Sequence, residues 1–148
     1  MKVKHLIFSM IAVAFLSSAI QEDKNLSVGK NAPLIETVEG ENVGKITDTD
    51  KKMKMISFWN PKNASSRISN RNLSQQYGKN SESNIEFVSI CVDSDIPLMN
   101  EVLKVDGLET INNYSYSEFS PRVFKDYGAI ENPKAYLISS EGKILEII

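Results

Sequence analysis

Phe58-Trp59-Asn60-Pro61-Lys62-Asn63-Ala64-Ser65-Ser66-Arg67 is the stretch on which the fold turns. The run leading into it, Met53 to Trp59, is apolar except for Lys54 and Ser57, and reads as a strand buried on both faces. Asn60-Pro61 breaks that strand. Asn63 has the chemistry to cap a helix from Ala64 to about Tyr77, with Gly78 as its stop. The expected inward face is Ile68, Leu73 and Tyr77, with Arg67, Asn70, Arg71 and Gln75 in solvent. A strand feeding a helix N-terminus gathers free N–H groups and the positive end of the helix dipole at one corner. The side chains at this corner are amides and hydroxyls, with no strong nucleophile or base among them.

Outward from the corner the pattern alternates. Ile85 to Val92 is rich in β-branched residues and reads as a second central strand, with Cys91 on the same face as Phe87 and Ser89. Asp93-Ser94-Asp95 caps a helix from Ile96 to Val105, ended by Asp106-Gly107. Leu108 to Phe119 reads as an irregular connection, and Ser120-Pro121 starts a short helix stopped by Gly128. After Asn132-Pro133, Ala135 to Ile138 and Ile144 to Ile148 form a hairpin around Ser140-Glu141-Gly142. Upstream, Ala32 to Val38 reads as an edge strand and Glu39 to Lys52 as a turn-rich connector. The order β-β-α-β-α-α-β-β predicts an α/β fold of three layers with parallel crossovers and a terminal antiparallel hairpin.

The N-terminus is a separate unit. Lys2, Lys4 and His5 precede an apolar run from Leu6, and Ser17-Ser18-Ala19 supplies small residues for cleavage after Ala19. Leu6 to Ile20 is shorter than the ~20 residues a spanning helix needs, so residues 1–19 are read as a signal peptide and 20–31 as a flexible leader to a domain over 32–148. The chain is therefore expected to be exported, to the periplasm, and to meet the membrane only through that signal. Of 148 residues, 41% are hydrophobic and 24% charged, the balance of a soluble globular domain. Loss of Lys2 and Lys4 from 17 basic residues leaves 15 against 19 acids, a net charge of −4, which offers nothing to nucleic acid. Loss of His5 removes the only histidine, and Cys91 is the only cysteine. That excludes Ser-His-Asp and Cys-His catalysis, the usual zinc sites and an internal disulfide. No metal or cofactor is expected.

Ile56-Ser57-Phe58-Trp59 before the helix resembles the strand that precedes the active site in thioredoxin-like proteins of the exported, cytochrome-maturation type, a group of thiol-disulfide oxidoreductases. Asn132-Pro133 before a strand and Gly-turn hairpin is similar to the family's cis-proline loop, and Val88 to Asp93 to its middle strand. The resemblance spans Ala32 to Ile148. It implies a thioredoxin-like fold with a central mixed sheet, here without the family's usual C-terminal helix. It also implies a thiol pair, Trp-Cys-x-x-Cys, at the helix start, and the family's association with cell redox homeostasis. In this register Asn63 and Ser66 stand where the two cysteines would be, and Lys62 where the tryptophan preceding them would be. Thiol–disulfide exchange requires a thiolate, which neither an amide nor a hydroxyl replaces.

Each residue of the corner also has a plainer reading. Ser66 without a base is a first-turn serine rather than a nucleophile, and Asn63 is a cap. Lys62 and Arg67 read as a solvated basic pair rather than an anion site. No cysteine stands in the first helical turn after Pro61, which sets the corner apart from a peroxiredoxin site. Mid-strand Cys91 reads as a small buried hydrophobe. The resemblance raises the expectation of a cis bond at Pro133, and it implies that Trp59, Asn63, Ser66, Asn132 and Pro133 line a shallow groove accepting an extended peptide by strand addition. The apolar run Ile144 to Ile148 suggests association through the C-terminal strand. The expected function is an exported, non-redox binding or scaffold module. The alternatives are a weak thiol oxidoreductase or thiol-responsive protein using Cys91, and a truncated, inactive paralogue.

Overall fold

The computed structural model describes residues 26–38, 52–78 and 84–148, so the expected signal peptide lies outside the described residues. The elements run β1 (Met53–Trp59), α1 (Ala64–Tyr77), β2 (Ile85–Cys91), α2 (Ile96–Asp106), β3 (Asn113–Tyr114), a 3-10 turn (Tyr116–Glu118), α3 (Pro121–Tyr127), β4 (Ala135–Ile138) and β5 (Ile144–Ile147). The strands form one sheet in the order β3-β2-β1-β4-β5. β1 pairs parallel with β2, Trp59 opposite Cys91, and antiparallel with β4, Ser57 opposite Ala135.

β1 is buried on both faces because each face meets a helical layer. Ile56 and Phe58 pack with Val123, Phe124 and Tyr127 of α3, and Phe58 lies edge-on to Phe124 and Tyr136. On the opposite face Met55 meets Leu73 of α1, while Trp59 and Cys91 meet Met99, Val102 and Leu103 of α2. The result is the expected three-layer architecture, with α1 and α2 on one face and α3 on the other. Asp95 caps α2 by accepting from the Leu98 N–H at 3.1 Å, and Gly107 ends it in the left-handed region at φ 68°, where a side chain would be strained.

Three expectations need correction. Ala32 to Val38 is not a strand of the sheet: the bridge from Thr37 to Phe119 is an isolated one, while Ile35 is 0% exposed in the α3-side core. The segment is extended because it is tied at separate points, and the hydroxyl of Tyr127 donates to the Pro33 carbonyl at 2.8 Å. The part of the expected leader that is described is not loose. Gly29 N–H donates to the Ile144 carbonyl and Ala32 N–H to that of Gly142, each at 2.8 Å, covering the outer side of β5 at its start. The connection after α2 contains β3, whose two residues pair parallel with Ser89 and Ile90.

Candidate functional site

The corner between β1 and α1 is a closed hydrogen-bonding unit. The Asn60 side chain accepts from the Lys62 N–H at 2.8 Å, and Asn63 N–H donates to the Asn60 carbonyl at 3.0 Å. Asn63 is extended (φ −108°, ψ 109°), and its Oδ1 accepts from the Ser66 N–H at 3.0 Å, the geometry of an N-cap. The buried Ser66 hydroxyl accepts from the Asn60 N–H at 3.0 Å and has the carbonyls of Asn60 and Asn63, each at 3.2 Å, as acceptors for its proton. The two side chains therefore hold the turn together, and the Ser66 N–H is occupied by the cap.

Two ion pairs fasten this corner to its neighbours. Lys62 Nζ lies 2.9 Å from Asp93 Oδ2 at the end of β2. The Asp95 N–H and the Lys62 ammonium hold the Asp93 carboxyl below the usual range. Arg67 forms a two-pronged pair with Asp106 at the end of α2, both bonds at 2.7 Å. The guanidinium likewise holds the Asp106 carboxyl below its ordinary value.

Cys91 is 0% exposed, with Sγ 3.6 Å from the Asp93 carbonyl, and burial pushes its thiol up to about 11. Trp59 is 1% exposed and packs against Cys91 and α2, so it does not line an open groove; burial of both sheet faces at the end of β1 turns the indole inward. Phe58 N–H donates to the Lys134 carbonyl at 3.1 Å, which seats the Asn132-Pro133-Lys134 loop against the end of β1. The bond before Pro133 is trans, against the expectation drawn from the resemblance. Asn132 borders a depression of about 270 Å3 with Lys125, Lys134 and Ile147. A second cleft, of about 420 Å3, lies between α1 and the end of α2 and is lined by Pro61, Lys62, Ala64, Arg67, Ile68, Arg71 and Asp106. Neither contains Asn63, Ser66, Trp59 or Pro133. The sequence-derived site thus divides into a self-bonded cap and a loop beside β1.

No family model matches the chain. Thiol-disulfide oxidoreductase ResA of Bacillus cereus is 24% identical over 160 residues, covering 100% of this chain and 90% of the relative. The thioredoxin domain of a thiol-disulfide oxidoreductase from Bacteroides vulgatus superposes with a TM-score of 0.67 at 19% identity, covering 83% of this chain and 89% of that one. The C-terminal domain of a thiol-disulfide oxidoreductase from Bacteroides thetaiotaomicron does so at 0.62 and 26% identity, over 82% and 86%. The chain has a thioredoxin-like fold and is similar to thiol-disulfide oxidoreductases.

Within this thioredoxin-like fold the chain has no cysteine at the corner. Its one thiol is not at the helix start but at the end of β2, opposite Trp59. A thiol whose ionisation is opposed by burial is a poor nucleophile near neutral pH. Sequence reasoning missed the two carboxylates that complete the corner, Asp93 and Asp106, because each is brought there by a different element. It also missed how α1 is turned. The buried residues are Ser66, Asn70, Leu73 and Ser74, while Ile68 is 53% exposed. The spacing 66, 70, 73 and 74 follows a helical stripe and was open to reading, but it is mostly polar.

Proposed function

We propose that this chain is an exported thioredoxin-like binding module that holds an extended peptide or partner protein and does not exchange disulfides. The observation that carries the reading is the occupation of the corner. Asn63 and Ser66, at the positions of the family's thiols, are committed to capping and turn hydrogen bonds, and the single thiol is buried elsewhere. The Asn132-Pro133-Lys134 loop, exposed at Asn132 and seated against β1, is the surface assigned to the peptide. The basic, apolar and small-residue order of residues 2–19 supports export to the periplasm. Association through the β5 edge belongs to the same reading, Leu145 and Ile148 being exposed there.

An insulin-reduction assay on the chain and on Cys91→Ser tests the non-redox part. Both are expected to match the protein-free control. Turnover that depends on Cys91 would replace this reading with the competing one, a thiol oxidoreductase or thiol-responsive protein. The observation favouring that alternative is the Lys62 ammonium, which draws the Cys91 thiol downward against the larger effect of burial. N-terminal sequencing of protein recovered from a periplasmic fraction tests export, and is expected to begin at Ile20.

A further inference from the structure

Helix α1 packs on the sheet through Leu73 and Tyr77, but the rest of its inward stripe is polar. It carries Asn70, whose Oδ1 is buried without a hydrogen-bond partner, and two serines, while Ile68 is turned to solvent. A single exposed aliphatic side chain is ordinary on a protein surface; Ile68 is set apart by where it stands. Ile68 sits in the cleft between α1 and the end of α2 with Pro61 and Ala64. Ala64 and Ile68, one turn apart at the start of α1, are exposed side by side, while Pro61 precedes the helix and is itself buried.

That pair is framed by charged side chains. Lys62, Arg67 and Arg71 border the cleft against a single carboxylate, Asp106. Arg67 pairs with Asp106 and Lys62 with Asp93, while Arg71 adds a second positive field at Asp106. Residues 64–77 contain no acid, in a chain whose net charge is −2. With Lys62 and Arg67 each matched by a carboxylate, Arg71 leaves the cleft one net positive charge beside Ile68, on an acidic molecule.

We propose that the cleft between α1 and α2 docks an acidic, aliphatic segment of a partner protein. An aliphatic side chain of the segment rests on the exposed Ala64 and Ile68, and its carboxylate faces Arg71. Charge complementarity selects this occupant. A second copy meeting the same face by two-fold symmetry would bring the basic borders together, and a small free anion would leave Ile68 unused. The inference rests on the binding-module reading and names the chemistry of the partner, on a surface separate from the Asn132-Pro133-Lys134 loop.

The test is to pan short random peptides displayed on phage against the whole chain, then measure synthetic versions of the enriched peptides on variants. Enriched sequences are expected to carry Asp or Glu beside Leu, Ile or Val, and to bind faster at low salt. Ile68→Ser and Arg71→Gln, both at exposed positions, are each expected to weaken binding by about fivefold, as is replacement of the peptide's acids by Gln. Enriched peptides without acids would overturn the inference. So would peptides indifferent to both variants but weakened by Lys134→Glu; that outcome leaves the binding-module reading standing. Failure to enrich any peptide would overturn both. Inorganic phosphate that displaces the peptides equally from the parent and from Ile68→Ser would reduce the cleft to an anion site. A dimer in sedimentation that Ile68→Ser abolishes would make the occupant a second copy.

Discussion

Cys91 lies where β2 passes beneath the corner, and its surroundings set how it titrates. Burial raises its pKa from 9.0 to about 11. The thiolate is then more stable in the unfolded chain, so the thiol's contribution to stability is complete below about 9 and is lost as pH rises toward about 11. Tyr127 and Tyr136, both raised above 10.0 by burial, add the same sense of dependence only at higher pH. Urea titrations should therefore show stability falling between about pH 9 and 10 in the parent and staying flatter in Cys91→Ala. A thiol reagent at pH 8 should label the native chain far more slowly than the unfolded one; equal rates would sink the buried-thiol account. The register of the corner is testable at the same scale. Asn63→Cys with Ser66→Cys should form a disulfide that reduction and alkylation reveal by mass. The double variant gives up the cap and the serine bonds at a cost of about 1–2 kcal/mol. Absence of a disulfide would show that the two positions do not correspond to the family's thiol pair.

At the scale of elements, α1 is held less by its apolar residues than by what ties it to its neighbours. Asn70 is 1% exposed with an unpaired Oδ1. Asn70→Leu should raise the urea midpoint, with a gain of about 1 kcal/mol, by removing that desolvated oxygen. The two-pronged Arg67–Asp106 pair joins the start of α1 to the end of α2 across 39 residues of sequence. Asp106 is only 7% exposed in its side chain, so Arg67→Ala leaves a nearly buried carboxylate unmatched. The expected cost is about 1–3 kcal/mol at neutral pH, discounted for the partly exposed guanidinium. Because Asp106 is lowered from 3.8, that stabilisation is present above the ordinary carboxylate range and fades as pH falls through the depressed folded value. Denaturation of Arg67→Ala and parent at neutral and acid pH should show their difference shrinking in acid.

For the whole molecule, the core is closed by a segment far from it in sequence. Ile35 is 0% exposed beneath α3, while Leu34 beside it is 49% exposed. Ile35→Ala should cost about 2–5 kcal/mol, and Leu34→Ser should stay within about 0.5 kcal/mol. Equal effects in thermal melts would mean that residues 26–38 do not belong to the domain. Residue burial, more than secondary structure, sets this boundary. The short extended segment around Ile35 has too little pattern of its own to mark it as core, and it becomes core only because α3 and the β4–β5 hairpin leave a gap it fills.

The sequence by itself determined the succession of strands and helices from β1 to β5 apart from the two-residue β3, the two-sided burial of β1, the capped start of α1 and the absence of a thiol pair at that start. These follow from local pattern and from which residue types are present. Tertiary structure alone decided that Trp59 turns inward, that Pro133 is trans, that Asn70 is buried while Ile68 is not, and that Asp93 and Asp106 complete the corner. The physical reason is that each depends on which element packs against which. Phe58 to Arg67 looks the same in sequence whether its helix shows solvent an isoleucine between arginines or an asparagine. Only the packing of α1 against the sheet chose the isoleucine, and with it the basic, aliphatic cleft.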